Sequence, residues 1–237
     1  MKKILLVMML SVAFYACNGG GNNSNNNNNN SVVLTDDQIF RQAIAGSWVS
    51  CVQNNDLGGY VKTEMVSEYG ATASSGVDKF GIYSDSDCSI PLVEVEIYLN
   101  NMTTGAIAGE TDQGWYVVSS AGYGNAPKVN FISGSSYIKI YDQGWLDTFQ
   151  ALGDETDYTD LGVCPSDGCD WYNCTGKEWV GSGKFPVLGE NFYGYAIVNP
   201  SDGELYFALS GDGLFSTDPS DPNNRGDGSF HSGWTKE

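Results

Sequence analysis

Apolar and polar residues alternate one by one along much of this chain, and no other feature constrains its fold as strongly. The clearest case is residues 93–99, which read Val-Glu-Val-Glu-Ile-Tyr-Leu. Successive side chains of a β-strand lie on opposite faces, so this segment forms a strand with one dry and one wet face. Further predicted strands are 47–53, 60–69, 79–84, 115–119, 129–132, 137–141, 178–180, 192–198 and 205–209.

Turn-forming sequence separates the predicted strands. Clusters of Gly, Asn, Asp and Ser lie at 54–59 and 199–203, and no clear helical pattern joins one strand to the next. Parallel strands need long crossover connections, so this arrangement excludes a parallel sheet. We therefore predict an all-β domain, an antiparallel up-and-down sheet closed into a barrel, since closure removes exposed edge strands.

One short helix is predicted before the first strand. Thr35 and Gln38 form a capping box, in which each side chain binds the backbone N–H group of the other residue. Asp36 and Asp37 lie in the first turn, where negative charge is favourable. The helix is expected to end before Gly46.

The first 16 residues have the features of an export signal. Lys2 and Lys3 precede an apolar run at 4–16, which is too short for a hydrocarbon core that needs roughly 20 residues to span. Residues 18–31 contain only Gly, Asn and Ser. With no apolar side chain to bury, they are expected to form a disordered tether ahead of a domain at 32–237.

An exported chain folds in an oxidising environment, so the five cysteines after Cys17 are expected to form disulfides. Cys51 and Cys88 are the favoured pair, and closing the loop between them would stabilise the fold by roughly 4 kcal/mol. A segment at about 143–176 lacks the alternation and contains Cys164, Cys169 and Cys174. We predict an inserted loop there, held by one disulfide among these three cysteines, which leaves the third as a free thiol or in an intermolecular bridge.

The chain is strongly acidic, with 29 Asp and Glu against 11 Lys and Arg. This balance argues against nucleic acid and against an anionic lipid surface as partners. Asp218, Asp221 and Asp227 offer oxygen ligands of the kind that calcium prefers, but Arg225 occupies a ligand position of the nearest EF-hand spacing. They are weak calcium candidates, and no metal or cofactor is expected.

No catalytic residues stand out. A Ser–His–acid triad would need His231, which is the only histidine, and the chain has no Gly-x-Ser-x-Gly nucleophile turn. Acidic residues are so abundant that no pair can be selected for glycoside hydrolysis. We therefore expect a non-enzymatic protein.

Three aromatic residues in predicted strands are candidates to line a ligand cavity or to stack on a sugar ring: Trp115, Tyr193 and Tyr195. Core packing and cross-strand pairing on the outer face are alternatives. The sequence alone leaves open which face of these strands is inward.

The end of the export signal, Phe14-Tyr15-Ala16-Cys17, resembles the lipobox of bacterial lipoproteins. In that motif a small residue precedes a cysteine that is lipidated and becomes the new N-terminus. The resemblance implies that Cys17 carries the lipid. The residue that follows, Asn18, favours the outer membrane over retention at the inner membrane.

Gly46-Ser47-Trp48, between the helix and the first strand, resembles the first motif of lipocalins. In that family the tryptophan plugs the barrel floor and an arginine stacks on it, a position for which Arg225 is the late candidate. The chain is also similar to small uncharacterised lipoproteins of aquatic gammaproteobacteria. That similarity rests on residues 83–88, on Leu205-Tyr206-Phe207 and on the Gly-rich tail from Gly211.

These features together predict a lipid-anchored envelope protein with a lipocalin-like barrel. The leading expectation is that the barrel binds or carries a small apolar or amphipathic ligand. The alternative is a surface interaction or structural lipoprotein that binds another envelope macromolecule.

Overall fold

The chain is described here by a computed structural model. It describes residues 34–55, 57–70, 72–111, 113–114, 116–118, 125–151, 158–165, 168–179, 183–198, 203–209 and 233–237. Several predicted features lie outside these residues: the export signal, Cys17 with its tether, Trp115, Asp218, Asp221, Arg225, Asp227 and His231.

The described residues form two short helices and a set of mostly antiparallel strands. The helices are α1 (Asp36–Ile44) and α2 (Gln143–Gln150). The strands are β1 (Gly46–Asn54), β2 (Gly59–Glu68), β3 (Ser74–Tyr83), β4 (Pro91–Thr104), β5 (Tyr116–Val118), β6 (Asn125–Ile140), β7 (Tyr172–Asn173), β8 (Glu178–Trp179), β9 (Gly183–Lys184), β10 (Asn191–Val198), β11 (Leu205–Leu209) and β12 (Thr235–Lys236).

Eight strands form a nearly closed barrel in the order β1, β2, β3, β4, β6, β10, β11 and β12. Leu205 of β11 and Trp234 exchange two backbone hydrogen bonds of 2.9 Å. Trp234 directly precedes β12, which pairs with β1, so these bonds bring the two ends of the sheet together. The antiparallel all-β barrel predicted from the alternation is confirmed.

The alternation decides which side chains fill the barrel. Strand β4 buries three side chains in the main core, those of Val93, Val95 and Ile97. Tyr98, which follows Ile97, is exposed. Their partners Ile138 and Ile140 on β6 are also fully buried. Burying a side chain of this size contributes roughly 1.5–3 kcal/mol, so this wall of the barrel holds much of the stability.

Helix α1 covers the barrel end at which β1 begins. The predicted capping box is present, with Thr35 N to Gln38 Oε1 at 3.0 Å and Gln38 N to Thr35 Oγ1 at 3.2 Å. At the other end of the helix, the Ile44 carbonyl accepts hydrogen bonds from Trp48 Nε1 at 2.8 Å and from Ser67 Oγ at 2.7 Å. These bonds attach the helix to β1 and β2.

The prediction of two separate strands at 129–132 and 137–141 is wrong, because both segments belong to β6, a single strand of 16 residues. The Gly and Ser residues between them lie beside a register shift in the pairing with β4, between Ile97 and Leu99. A Cβ atom on Gly134 would lie 2.8 Å from Tyr98 Cβ. The Gly-rich sequence therefore marks an irregularity within a strand and a close approach to β4, not a turn.

Helix α2 was not predicted, and it occupies the start of the segment expected to be a loop. Asp142 caps it by accepting a hydrogen bond from Trp145 N at 3.1 Å, while Leu146 and Phe149 enter the main core. Eight residues give too few helical turns for a period to be read from sequence. Since α2 follows the end of β6, it lies at the barrel end opposite α1.

Two disulfides are present among the described residues. Cys51 of β1 is joined to Cys88, the pair that the sequence favours, with their Cα atoms 6.2 Å apart. Cys164 is joined to Cys169, with a Cα separation of 5.7 Å, and Cys174 is a buried free cysteine. Neither described helix has the length and apolar character needed to cross a membrane.

Candidate functional site

The Gly46–Trp48 motif lies at the α1 end of the barrel. Trp48 is 2% exposed, and Lys236 Nζ lies 5.2 Å from the centroid of its ring. Gly46 has a φ of +119°, which favours glycine, and a Cβ atom there would lie 3.1 Å from Lys236 Cε. The cation on the tryptophan is thus Lys236, a residue that the sequence analysis did not select.

Sequence reasoning missed Lys236 because no local pattern connects it to Trp48. The two residues are direct partners in the pairing of β1 with β12, which exists only once the barrel closes. The sequence shows only a lysine in a short polar segment near residue 237, which is a weak indication of a contact with Trp48.

Tyr193 and Tyr195 do not line the barrel interior. They pair with Asn130 and Lys128 of β6, whereas the alternate residue Phe192 pairs with Phe131 and belongs to the main core. Tyr195 is fully buried, but in a separate small cluster on the outer face. Of the three candidate aromatic residues, the described two therefore have a packing role outside the barrel.

The chain after β4 covers this outer cluster. Gly105 N donates to the Lys128 carbonyl at 2.9 Å, and Asn130 Nδ2 donates to the Gly105 carbonyl at 3.0 Å. Lys128 Nζ forms a buried ion pair of 2.7 Å with Glu110. A buried charge is costly unless it is paired, so this contact fixes the covering segment in one position.

The barrel interior differs between its two sides. On β4, β6 and β10 the inward side chains are almost fully covered. On β1, β2 and β3 several inward side chains keep part of their surface uncovered, namely Ser50, Thr63, Asp78 and Phe80. These four residues therefore leave part of this wall uncovered, and the wall carries hydroxyl, carboxyl and aromatic groups.

Asp78 is the unexpected member of this wall. It pairs with Met65 on one side and Ile97 on the other, and both are buried in the main core. Burial raises the pKa of the Asp78 carboxyl to about 7. Among the described residues, no hydrogen bond or ion pair partners this carboxyl.

A second concavity lies outside the barrel and is called the outer groove here. Its larger part, of about 420 Å³, is lined by Tyr98, Asn100, Tyr137, Trp171 and Leu188 over a floor at Gly134. Its smaller part, of about 230 Å³, is lined by Lys62, Glu64, Lys79, Tyr83 and Glu94. Glu96 and Trp171 line both parts, so the two parts lie next to each other.

Hydrogen bonds and ion pairs order the acidic side chains of the outer groove. Glu94 accepts a hydrogen bond from Tyr83 Oη at 3.0 Å and another from Tyr141 Oη at 2.7 Å. Burial, together with the charge of Glu94, raises the pKa of Tyr83 above its usual range. Glu96 lies 3.5 Å from Lys79 Nζ and accepts from Tyr98 Oη at 3.4 Å.

Trp171 forms the side of the outer groove that does not belong to the sheet. It follows the Cys164–Cys169 disulfide by two residues, and Lys139 Nζ lies 4.7 Å from its ring centroid. Tyr98 and Tyr137 meet edge to face across two strands, with ring centroids 5.9 Å apart. The outer groove thus combines aromatic surfaces with carboxylate, amide and hydroxyl groups.

The described residues contain no group of three or more His, Cys, Asp and Glu side chains arranged to hold a metal ion. No protein-family model matches the chain, and no curated protein matches it at a significant level.

Proposed function

We propose that this chain is an envelope lipoprotein, anchored through Cys17, whose barrel binds a small amphipathic ligand without transforming it. The observation that carries the proposal is the partly uncovered inner wall of β1, β2 and β3. Ligand sites in proteins combine apolar surface with a few placed polar groups. On this wall Phe80 offers apolar surface, and Asp78 and Thr63 offer the polar groups.

The chemistry of Asp78 favours a ligand whose polar end donates hydrogen bonds. A carboxylate accepts hydrogen bonds and pairs with an ammonium group. Because the carboxyl lies between apolar neighbours, a partner inside the barrel would recover part of the cost of its burial. A single-chain amine is the simplest molecule that fits both the carboxyl and the apolar wall.

Native mass spectrometry of the full chain, extracted in detergent from its own host, tests the proposal. We expect a small retained mass on the wild-type protein. The Thr63→Trp substitution places a larger side chain over the uncovered part of the inner wall, so the retained small mass should be lost. Ile90→Trp is the matched control, because Ile90 is exposed on the surface. A wild-type protein observed only at its bare mass contradicts the proposal, provided that circular dichroism shows a folded barrel.

The raised pKa of Asp78 predicts how binding depends on pH. The carboxyl gains its charge as the pH rises through about 7, whereas an alkylamine stays charged. Octylamine should therefore bind about tenfold more tightly at pH 8 than at pH 6, as measured by isothermal titration calorimetry. Octanol, which has no charge, should show little change over the same range.

The free energy of unfolding should fall as the pH rises, whereas the affinity for octylamine increases. A carboxyl whose pKa is raised from 3.8 by folding favours the folded state while it is protonated. That contribution is fully present below about 3.8 and is lost as the pH rises from there through about 7. Asp78→Asn should remove the pH-dependent affinity and this part of the pH-dependent stability, and a variant that keeps the pH-dependent affinity would exclude Asp78 as its source.

The alternative function, binding of another envelope macromolecule, is supported by a different observation. The outer groove is a polar and aromatic concavity on the outer face of the sheet. A protein could use both regions, because the inward and outward side chains of the same strands alternate.

A further inference from the structure

The aromatic side chains of the outer groove present surface to solvent on an otherwise polar sheet face. Tyr98 is 40% exposed, and Trp171 is partly exposed beside it in the larger part. Large exposed aromatic groups lose favourable burial, so their presence in a concavity indicates a binding surface. Flat rings of this kind offer a platform for a flat, partly apolar partner.

The floor of the outer groove is backbone. At Gly134 a Cβ atom would lie 2.8 Å from Tyr98 Cβ and 2.9 Å from Asn100 Nδ2, so no larger residue fits without displacement. Glycine within a strand often marks a place where a ligand or another backbone approaches closely. The missing side chain leaves Tyr98, Asn100 and Tyr137 accessible along one continuous surface.

The charges of the outer groove nearly balance, unlike those of the chain, since three glutamates (Glu64, Glu94 and Glu96) lie beside two lysines (Lys62 and Lys79). The formal net charge of the chain is −18, yet Glu96 is paired with Lys79 at 3.5 Å, and Glu64 with Lys62 at 3.8 Å. Within the described part of the chain, Glu96 is the only carboxylate that lines the larger part. A strongly charged ligand of either sign would find little electrostatic complementarity there.

The polar groups that remain are hydrogen-bonding partners for hydroxyl groups. Glu96 offers carboxylate oxygens, Asn100 offers both a donor and an acceptor, and Ser135 offers a hydroxyl. The groove is open to solvent along both parts, which suits a chain of units more than a compact molecule. Aromatic platforms with hydrogen-bonding groups at their edges match a sugar ring, which has apolar C–H faces and a rim of hydroxyl groups.

We propose that the outer groove binds an uncharged glycan built of hexose or N-acetylhexosamine units. Trp171 and Tyr98 provide the stacking surfaces, and Glu96 and Asn100 accept or donate hydrogen bonds at the rim of the sugar ring. This site is separate from the proposed ligand site in the barrel interior, and it identifies the macromolecule of the alternative function by its chemistry.

Binding of neutral oligosaccharides to the full chain in detergent tests this proposal. The probes are cello-, laminari-, manno- and chito-oligosaccharides, each measured by isothermal titration calorimetry. We expect at least one to bind, with an affinity that changes little when salt is raised, because no ion pair with the ligand is involved. Failure of all four series, or tighter binding of the polyanion alginate, would overturn the proposal.

Three variants locate the site. Trp171→Ala should weaken binding of the best oligosaccharide by at least about tenfold, since loss of an aromatic platform costs about that factor or more. Tyr116→Ala is the matched control, an exposed tyrosine that does not line the groove, and should keep the affinity within about twofold. Equal losses in these two variants would exclude the groove as the binding surface.

The third variant separates this proposal from the proposed function. Thr63→Trp blocks the barrel interior and should leave oligosaccharide binding unchanged, because Thr63 faces inward and the groove lies on the outer face. Loss of oligosaccharide binding in a folded Thr63→Trp protein would place the sugar inside the barrel and contradict the outer site.

Discussion

At the scale of single residues, Trp48 and Lys236 connect the two ends of the barrel sheet. The indole nitrogen binds the last carbonyl of α1, while the ring face receives Lys236 from β12. One side chain thus contacts the helix, the first strand and the last strand. Loss of this side chain would therefore remove contacts to all three elements.

Substitutions at this pair should separate packing from the cation–π contact. Trp48→Ala should lower the free energy of unfolding by about 3–5 kcal/mol, because it leaves a large cavity in the core. Lys236→Ala should lower it by about 0.5–1 kcal/mol, and Lys236→Arg should retain most of the stability. Urea denaturation measures all three.

Lys184→Ala is the control for these substitutions, since Lys184 is exposed on β9. It should change the free energy of unfolding by less than about 0.5 kcal/mol. If Lys184→Ala and Lys236→Ala destabilise the protein equally, the contact with Trp48 has no measurable effect.

At the scale of elements, strand β6 organises the molecule. It pairs with β4 along its length, with β10 near one end and with β7 near the other. Gly134 lies beside the register shift in the pairing with β4 and also forms the floor of the outer groove. A single glycine therefore affects both the sheet and a proposed binding surface.

Gly134→Ala should lower the free energy of unfolding by about 1–3 kcal/mol, because the added methyl group overlaps Tyr98 and Asn100. Gly162→Ala is the matched control, since a Cβ atom there has no neighbour within 4 Å. Thermal unfolding of the two variants makes the comparison. A stable Gly134→Ala protein would show that β4 can move away from β6 at little cost.

At the scale of the whole molecule, closure of the barrel depends on five residues at the chain end. Trp234 exchanges hydrogen bonds with Leu205, and Glu237 N donates to the Ser47 carbonyl at 3.0 Å. Without them, β1 and β11 would be edge strands with unsatisfied backbone groups. Closure of the barrel therefore depends on β12, although this strand has only two residues.

Removal of residues 233–237 should open the barrel. We expect faster hydrogen exchange of the backbone amides of β1 and β11 and a lower urea midpoint, because both strands lose their partners. Removal of Glu237 alone is the control, since it keeps Trp234 and Lys236 in place. Unchanged protection in the longer truncation would mean that the barrel is stable without closure.

The class of fold and several local features of this protein follow from the order of its amino acids alone. Alternation between neighbours predicted the strands, turn clusters excluded a parallel sheet, and Thr35 with Gln38 predicted the start of α1. These features depend on residues close together in the chain, whose preferences act before any tertiary contact forms. The pairing of Cys51 with Cys88 could be predicted because Cys51 lies in a predicted strand and Cys88 lies at a predicted turn.

The positions of the candidate site residues depend on contacts that form only in the folded chain. Register placed Tyr195 outside the barrel and Asp78 inside it, and closure brought Lys236 to Trp48. The outer groove joins side chains of four strands to Trp171 of a disulfide-bonded segment. Shifting a strand by one residue reverses the face of every side chain on it, so positions far apart in the chain acquire their roles only when the strands pair.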